Sequence, residues 1–236
     1  STRVRSSAAS DVYKRQHDYN VPDSRGLYDY SEYFARINKL CDEQGCDTIL
    51  YALYTWDRDS PVARTHDAIF DGLDHVQRVI LEVGQPAESV DLVQVWLRGQ
   101  QDPRPAHQLF AQAGQPTRRK RQFLFDLPAR MISDGGLLVL CGESGIVTQN
   151  RLGGFTDNLG FLPQLDRLGV SLILNPIHDY MAPTHGIDMR DKRQHYSQRR
   201  RTVLSVWNQG NGRDDRVAAP WTVFHDGEDR TDAVRE

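Results

Sequence analysis

The sequence predicts an α/β fold, with helices covering the faces of a sheet. Three observations carry that expectation. Short aliphatic runs, LLVL (Leu137–Leu140) and VSLILN (Val170–Asn175), read as fully buried strands. Segments of helical period lie between such runs. No repeat of fixed period and no low-complexity tract points to a solenoid or to disorder.

Taken in order, Asp29–Cys46 carries apolar residues at helical spacing (Tyr33, Phe34, Ile37, Leu40, Cys41), and Gly45 stands where a helix-terminating glycine is expected. Thr48–Trp56 (TILYALYTW) reads as a buried strand, and Asp57–Pro61 as a turn. Ala63–Val79 reads as a helix with Ile69, Leu73, Val76 and Ile80 on one face, while Ile80–Val83 fits either its continuation or a new strand. Val90–Leu97 alternates like a strand. Gln100–Arg119, with Pro103, Pro105, Gly114 and Pro116, reads as loop, and Gln122–Leu127 as a short strand. Leu137–Cys141 is the clearest buried strand. Thr156–Leu168 reads as a helix ended by Gly169, and Val170–Asn175 as a strand stopped by Pro176. Ile187–Arg200 is a basic helix, Thr202–Trp207 a strand, and Trp221–Phe224 a last strand before a His225-Asp226-Gly227 turn.

At 236 residues with 39% apolar composition and a mean hydropathy of -0.60, the chain suits one sizeable globular domain. No apolar run approaches the roughly 18 residues of a membrane helix. No signal-peptide pattern appears either, so the cytoplasm is the default location and no membrane partner is expected. Asp11–Gln16 (DVYKRQ) reads as translated library adapter, so residues 1–16 are set aside from the fold. Without them the formal net charge moves from -3 to -6. The chain accordingly reads as a fragment, incomplete at both ends. Cys41, Cys46 and Cys141 are too few for a disulfide framework, and no second Cys or His pair completes a metal site, so neither metal nor cofactor is expected.

The stretch LCGESG (Leu140–Gly145) carries the chemistry. A buried strand running into Cys-Gly-Glu can mount a thiol on a tight strand-to-helix turn. The backbone N–H groups that follow then face a developing oxyanion. Gly142, lacking a Cβ, lets a substrate carbonyl approach closely. The competing reading is that Cys141 is a small core hydrophobe and Glu143 an acid placed favourably at a helix N-terminus. His178 and Asp179 follow a strand end, where α/β proteins tend to bind ligands; they line the pocket or bond to each other.

From Leu140 onward the chain resembles the nitrilase, or carbon–nitrogen hydrolase, superfamily. The strand entering Cys-x-Glu, the LGVSLILNP element (Leu168–Pro176), the basic helix, RTVLSVWNQG (Arg201–Gly210) and PWTVFHDGE (Pro220–Glu228) occur in that family's order and spacing. The resemblance implies a four-layer αββα sandwich over residues 17–236 as a single domain, often paired as a homodimer through a helix face. It also implies a Glu-Lys-Cys triad acting on an amide or nitrile, with Cys141 as nucleophile. In RRKRQFLFDL (Arg118–Leu127), Lys120 or Arg121 falls at the lysine position, as oxyanion partner with the Gly142 amide. GCDTILYALYTW (Gly45–Trp56) puts Leu53 where the family has its glutamate, which leaves the base unassigned among Glu143, Asp57, Asp59 and Glu82.

That departure keeps a second reading open: a catalytically silent module of the same fold that binds a small ligand or a partner protein. A nucleic-acid partner is disfavoured, because the chain is acidic overall and Arg190–Arg201 reads as a solvated helix face. Lys120, inside the basic run Arg118–Arg121, likewise suits a solvated loop.

Overall fold

The computed structural model describes residues 39–51, 65–83, 92–110, 116–133, 135–150, 152–177, 183–207 and 221–234. The Asp57–Pro61 turn, Leu53, His178 and Asp179 lie outside them. The fold is mixed α/β with several sheets and few helices. Two compact units divide the chain: residues 1–106 with 208–213 and 232–236, and residues 107–207 with 214–231. None of the described helices is long and apolar enough to cross a membrane.

In the first unit a helical segment, 39–43, precedes strand β1 (Thr48–Tyr51). The sheet continues through β2 (Arg78–Val83), β3 (Leu92–Leu97) and β4 (Arg104–His107), in that order. β1 and β2 run parallel with Thr48 opposite Arg78, while β3 is antiparallel to β2. The helix expected over Ala63–Val79 is only five residues long, α1 (His66–Phe70). Gly72, at φ +67°, turns the chain out of it. Ile69, Leu73, Val76 and Ile80 are all buried, so the apolar face is real. A turn followed by a strand presents it, and the β-branched pair Val79-Ile80 suits that strand. β4 corrects the loop expected there. Its residues alternate between half-buried and exposed, and its proline, Pro105, is tolerated because the strand is at the sheet edge.

The second unit is built on a six-stranded sheet: β5 (Met131–Ser133), β6 (Gly136–Leu138), β9 (Leu172–Ile177), β10 (Thr202–Trp207), β11 (Trp221–His225) and β12 (Glu228–Asp229). They lie in the order β12-β11-β10-β9-β6-β5. β6, β9 and β10 are mutually parallel, and the antiparallel β5 and β11 flank them. A two-stranded ribbon, β7 (Thr148–Gln149) with β8 (Phe155–Thr156), stands apart. Helices α2 (Thr117–Asp126), α3 (Phe161–Arg167) and α4 (Pro183–Ser197) complete the unit. Its core joins Phe123 and Leu127, Leu137 and Val139, Phe161, Ile173 and Tyr196.

Several elements differ from expectation, three of them instructively. Gln122–Leu127 belongs to a helix, because Pro116 opens α2 and Phe123, Leu124 and Leu127 bury one helical face. The helix after Thr156 starts only at Phe161, where the Asp157 carboxylate accepts the N–H groups of Phe161 (2.9 Å) and Leu162 (2.8 Å). Pro176 lies inside β9 instead of stopping it. The Ser171 carbonyl faces β10, and the Leu172 N–H and the Leu174 carbonyl face the β6 side. Position 176 therefore faces the β6 side too, beyond the last paired residue of β6 opposite Leu174, where no ladder donor is needed. At the far edge, Asp226 and Gly227 both take positive φ, forming the turn expected at His225–Gly227.

Candidate functional site at Cys141

Leu137 and Leu138 enter the sheet in β6, and Val139 and Leu140 continue the extended course. The Val139 N–H donates to the Leu174 carbonyl at 2.9 Å, and Leu140 is the last extended residue before a 3₁₀ turn, Cys141–Ile146. Cys141 therefore stands at the C-terminal end of a parallel strand, half-buried, at the level where open α/β sheets bind ligands. Two buried polar residues align the neighbouring strand ends. The Asn175 amide donates to the Val139 carbonyl (2.7 Å), and the Ser205 hydroxyl donates to the Asn175 oxygen (3.3 Å). Sequence reasoning missed both, although a polar Asn closing the aliphatic run SLIL was the available signal.

The turn is held from inside. The Ser144 hydroxyl donates to the Cys141 carbonyl at 2.7 Å, and the Tyr196 hydroxyl donates to the Ser144 carbonyl. Glu143 reaches back to accept the Leu140 N–H at 3.0 Å, the reciprocal half of a capping box. Its oxygens also accept Arg130 Nη1 (2.7 Å), Arg130 Nη2 (2.9 Å) and the Leu109 N–H (2.8 Å). Arg130 Nη2 donates to the His107 carbonyl as well, and the guanidinium lies over the Phe123 ring. Burial pushes the Glu143 carboxyl up to about 7, and Arg130 and the two backbone donors oppose it. Only donors face the carboxyl group, a geometry that fits the carboxylate form.

Glu143, one of the four candidates for the base, is held on every side. With no exposed surface and four donors on two oxygens, it ties the Cys141 turn to Arg130 and the Leu109 backbone.

An arginine of the basic helix interacts electrostatically with Cys141. Arg193, on α4, is 2% exposed; burial pushes its guanidinium down to about 10, and the charges of Cys141 and Tyr196 oppose that shift. The solvated face expected for Arg190–Arg201 is thus corrected: Lys192, Arg193 and Arg201 are buried. Arg190 pairs with Asp229, and Arg199 and Arg201 with Asp166. The overlooked signal was Arg193, Tyr196 and Ser197, three and four residues apart on one helical face.

The other expected site residues are placed less centrally. Gly142 is half-buried beside Cys141. Lys120 lies half-buried on α2, which replaces the solvated loop expected there. Arg121 is exposed and lines a groove of about 690 Å³ with Leu124, Phe125, Asn158 and Arg167; Cys141 is not among its walls. Of the remaining candidates for the base, Asp57 and Asp59 lie outside the described residues, as do His178 and Asp179. Comparison of the chain with protein-family models, curated proteins and solved structures finds no match.

Proposed function

We propose that the chain is a carbon–nitrogen hydrolase-like protein whose Cys141 sulfur attacks an amide or nitrile carbon. The observation that carries this reading is a half-buried thiol just past the end of a parallel strand, on a turn held by Ser144, Tyr196 and Glu143. Thiolate is the form of the group that attacks. For an amide, the sulfur–carbon bond forms as the carbonyl π pair moves to oxygen. The tetrahedral intermediate then expels the amine, which takes a proton, and water cleaves the thioester to carboxylic acid and free thiol. Backbone N–H groups after Cys141, with Gly142 first, are the donors this reading assigns to the oxyanion, and Lys120 is its ammonium. The four-layer αββα sandwich, a cytoplasmic location and pairing of two copies through a helix face belong to the same reading.

A second reading, a silent module binding a small ligand or partner protein, draws on Glu143. The carboxylate nearest Cys141 in sequence is fully engaged with Arg130 and backbone donors. Turnover separates the two readings. Against a panel of primary amides and nitriles, the wild-type chain should release ammonia and Cys141→Ala should lose at least about 10³-fold in rate. Equal turnover by the two proteins would eliminate Cys141 as nucleophile. A folded wild-type chain that turns over none of the panel and forms no acyl-thioester detectable by mass favours the silent module.

A further inference from the structure

The first unit holds a second sulfur chemistry, independent of Cys141. The helical segment 39–43 ends in a Schellman motif: the Gly45 N–H donates to the Asp42 carbonyl at 3.0 Å and the Cys46 N–H to the Cys41 carbonyl at 2.9 Å, with Gly45 at φ +64°. In this motif the two residues joined by the bond that spans more of the chain, here the one to the Cys41 carbonyl, usually make a hydrophobic contact. Here both are cysteines, and both are free thiols. An N–H···O bond of 2.9 Å confines the two α-carbons to within about 6.8 Å, the reach of a disulfide. The two thiols also interact through their side chains.

The two thiols are not equivalent. Cys41 is buried and Cys46 half-buried. The hydrogen bond from Cys41 holds the Cys46 thiol down at about 7, against burial and the neighbouring Asp47 carboxylate. The same contact pushes Cys41 up, reinforced by burial and by Asp42. The other charges nearby are Arg78, 3.6 Å from Asp47, and the exposed Lys39 and Glu43. An accessible, acidified thiol beside a protonated, buried one is the arrangement of an attacking and a resolving cysteine.

We propose that Cys41 and Cys46 are a peroxide-sensitive dithiol that closes to an intrachain disulfide at the entrance to β1. The Cys46 thiolate attacks one oxygen of a hydroperoxide, breaking the O–O bond to give a sulfenic acid and hydroxide (or alkoxide). The Cys41 sulfur then attacks the Cys46 sulfur and expels the sulfenic oxygen as water, its own proton going to that leaving group. The pair loses two electrons and the peroxide gains them.

The test treats the full chain with hydrogen peroxide, blocks residual thiols with N-ethylmaleimide and maps the digest by mass. The expected product is a Cys41–Cys46 bridge within one chain, reversed by dithiothreitol. In untreated wild type, alkylation of Cys46 should rise with a midpoint near pH 7. In Cys41→Ala the midpoint should move towards the ordinary thiol value of about 8.5, and the rate at pH 7 should fall about threefold, the loss of thiolate being partly offset by its greater nucleophilicity. In that variant peroxide should also leave Cys46 as a sulfenic acid trapped by dimedone. A bridge between two chains, a dimedone adduct on wild-type Cys46 without the bridge, or a wild-type midpoint at about 8.5 would overturn the proposal. The last of these needs no variant to fold.

Discussion

Glu143 and Arg130 set the terms at the residue scale, because each is buried and each depends on the other. Arg130 is 7% exposed and Glu143 has no exposed surface, so removing one charge strands the other in a medium that solvates it poorly. Glu143→Gln keeps the size and removes the charge. Its amide also turns a donor towards a site that now faces only donors. The expected loss is about 3–5 kcal/mol of unfolding free energy, read as a lower urea midpoint at unchanged m-value. Unaltered stability with abolished turnover would instead make Glu143 a proton carrier. Of this cluster, Cys141 and its turn were legible in sequence, since an aliphatic run into Cys-Gly-Glu is a local pattern. The Arg130 partnership was not: the two residues are 13 positions apart, and nothing in the intervening sequence encodes that Arg130 folds back towards Glu143. Arg193 was hidden differently. A run of arginines and lysines reads as one solvated face until packing shows which of them turn inward.

Element ends decide the next scale. One Asp42 oxygen accepts the N–H groups of Asp74 (2.8 Å) and His75 (2.9 Å), fixing the helical segment 39–43 to the turn that leads into β2. The His75 N–H, followed by that of Asp74, holds the Asp42 carboxyl below its ordinary value. The fold therefore favours the ionised form. Its stabilisation is complete above the ordinary carboxylate range and disappears as pH falls through the lowered value. Asp42→Ala should accordingly be less stable than wild type at pH 6, and the gap should narrow at pH 3, as read by urea unfolding at both pH values. A gap of the same size at both would show that the carboxylate charge contributes nothing. Elements themselves were legible in proportion to how little they depended on their neighbours. Thr202–Trp207 is the strand its β-branched, aliphatic run implies, whereas QFLFDL (Gln122–Leu127) suits a strand or a helix equally. Pro116 and the good helix formers of RRKR decided for α2, six residues upstream of the run itself.

Across the whole molecule, the second unit is organised from its middle outward. β9 is bonded on both sides, by β6 and β10, and β10 by β9 and β11, while β12 and the β7–β8 ribbon each have a single partner. This is why the middle was readable and the margins were not. A strand buried on both faces needs continuous aliphatic sequence, and SLIL of β9 carries that signal without help from its surroundings. TVLSVW of β10 alternates half-buried with buried positions and is marked by its β-branched residues. Edge strands such as β4 and β12 are short, polar and fixed by tertiary pairing, so their sequences resemble loops. The same gradient predicts dynamics. Opening β9 exposes Ile173 and Leu174 and breaks two ladders, so its amides should exchange only through large unfolding events. Amides of β7, β8 and β12 should exchange through local fraying, roughly a hundredfold faster or more. Hydrogen exchange followed by mass spectrometry at peptide resolution reads this directly. Because Cys141 leaves the sheet beside β9, slow exchange there would mean that the sulfur is mounted on the stiffest part of its unit. Equal protection in β9 and in the β7–β8 ribbon would remove that rigid mounting, and the positional argument for a preorganised nucleophile with it.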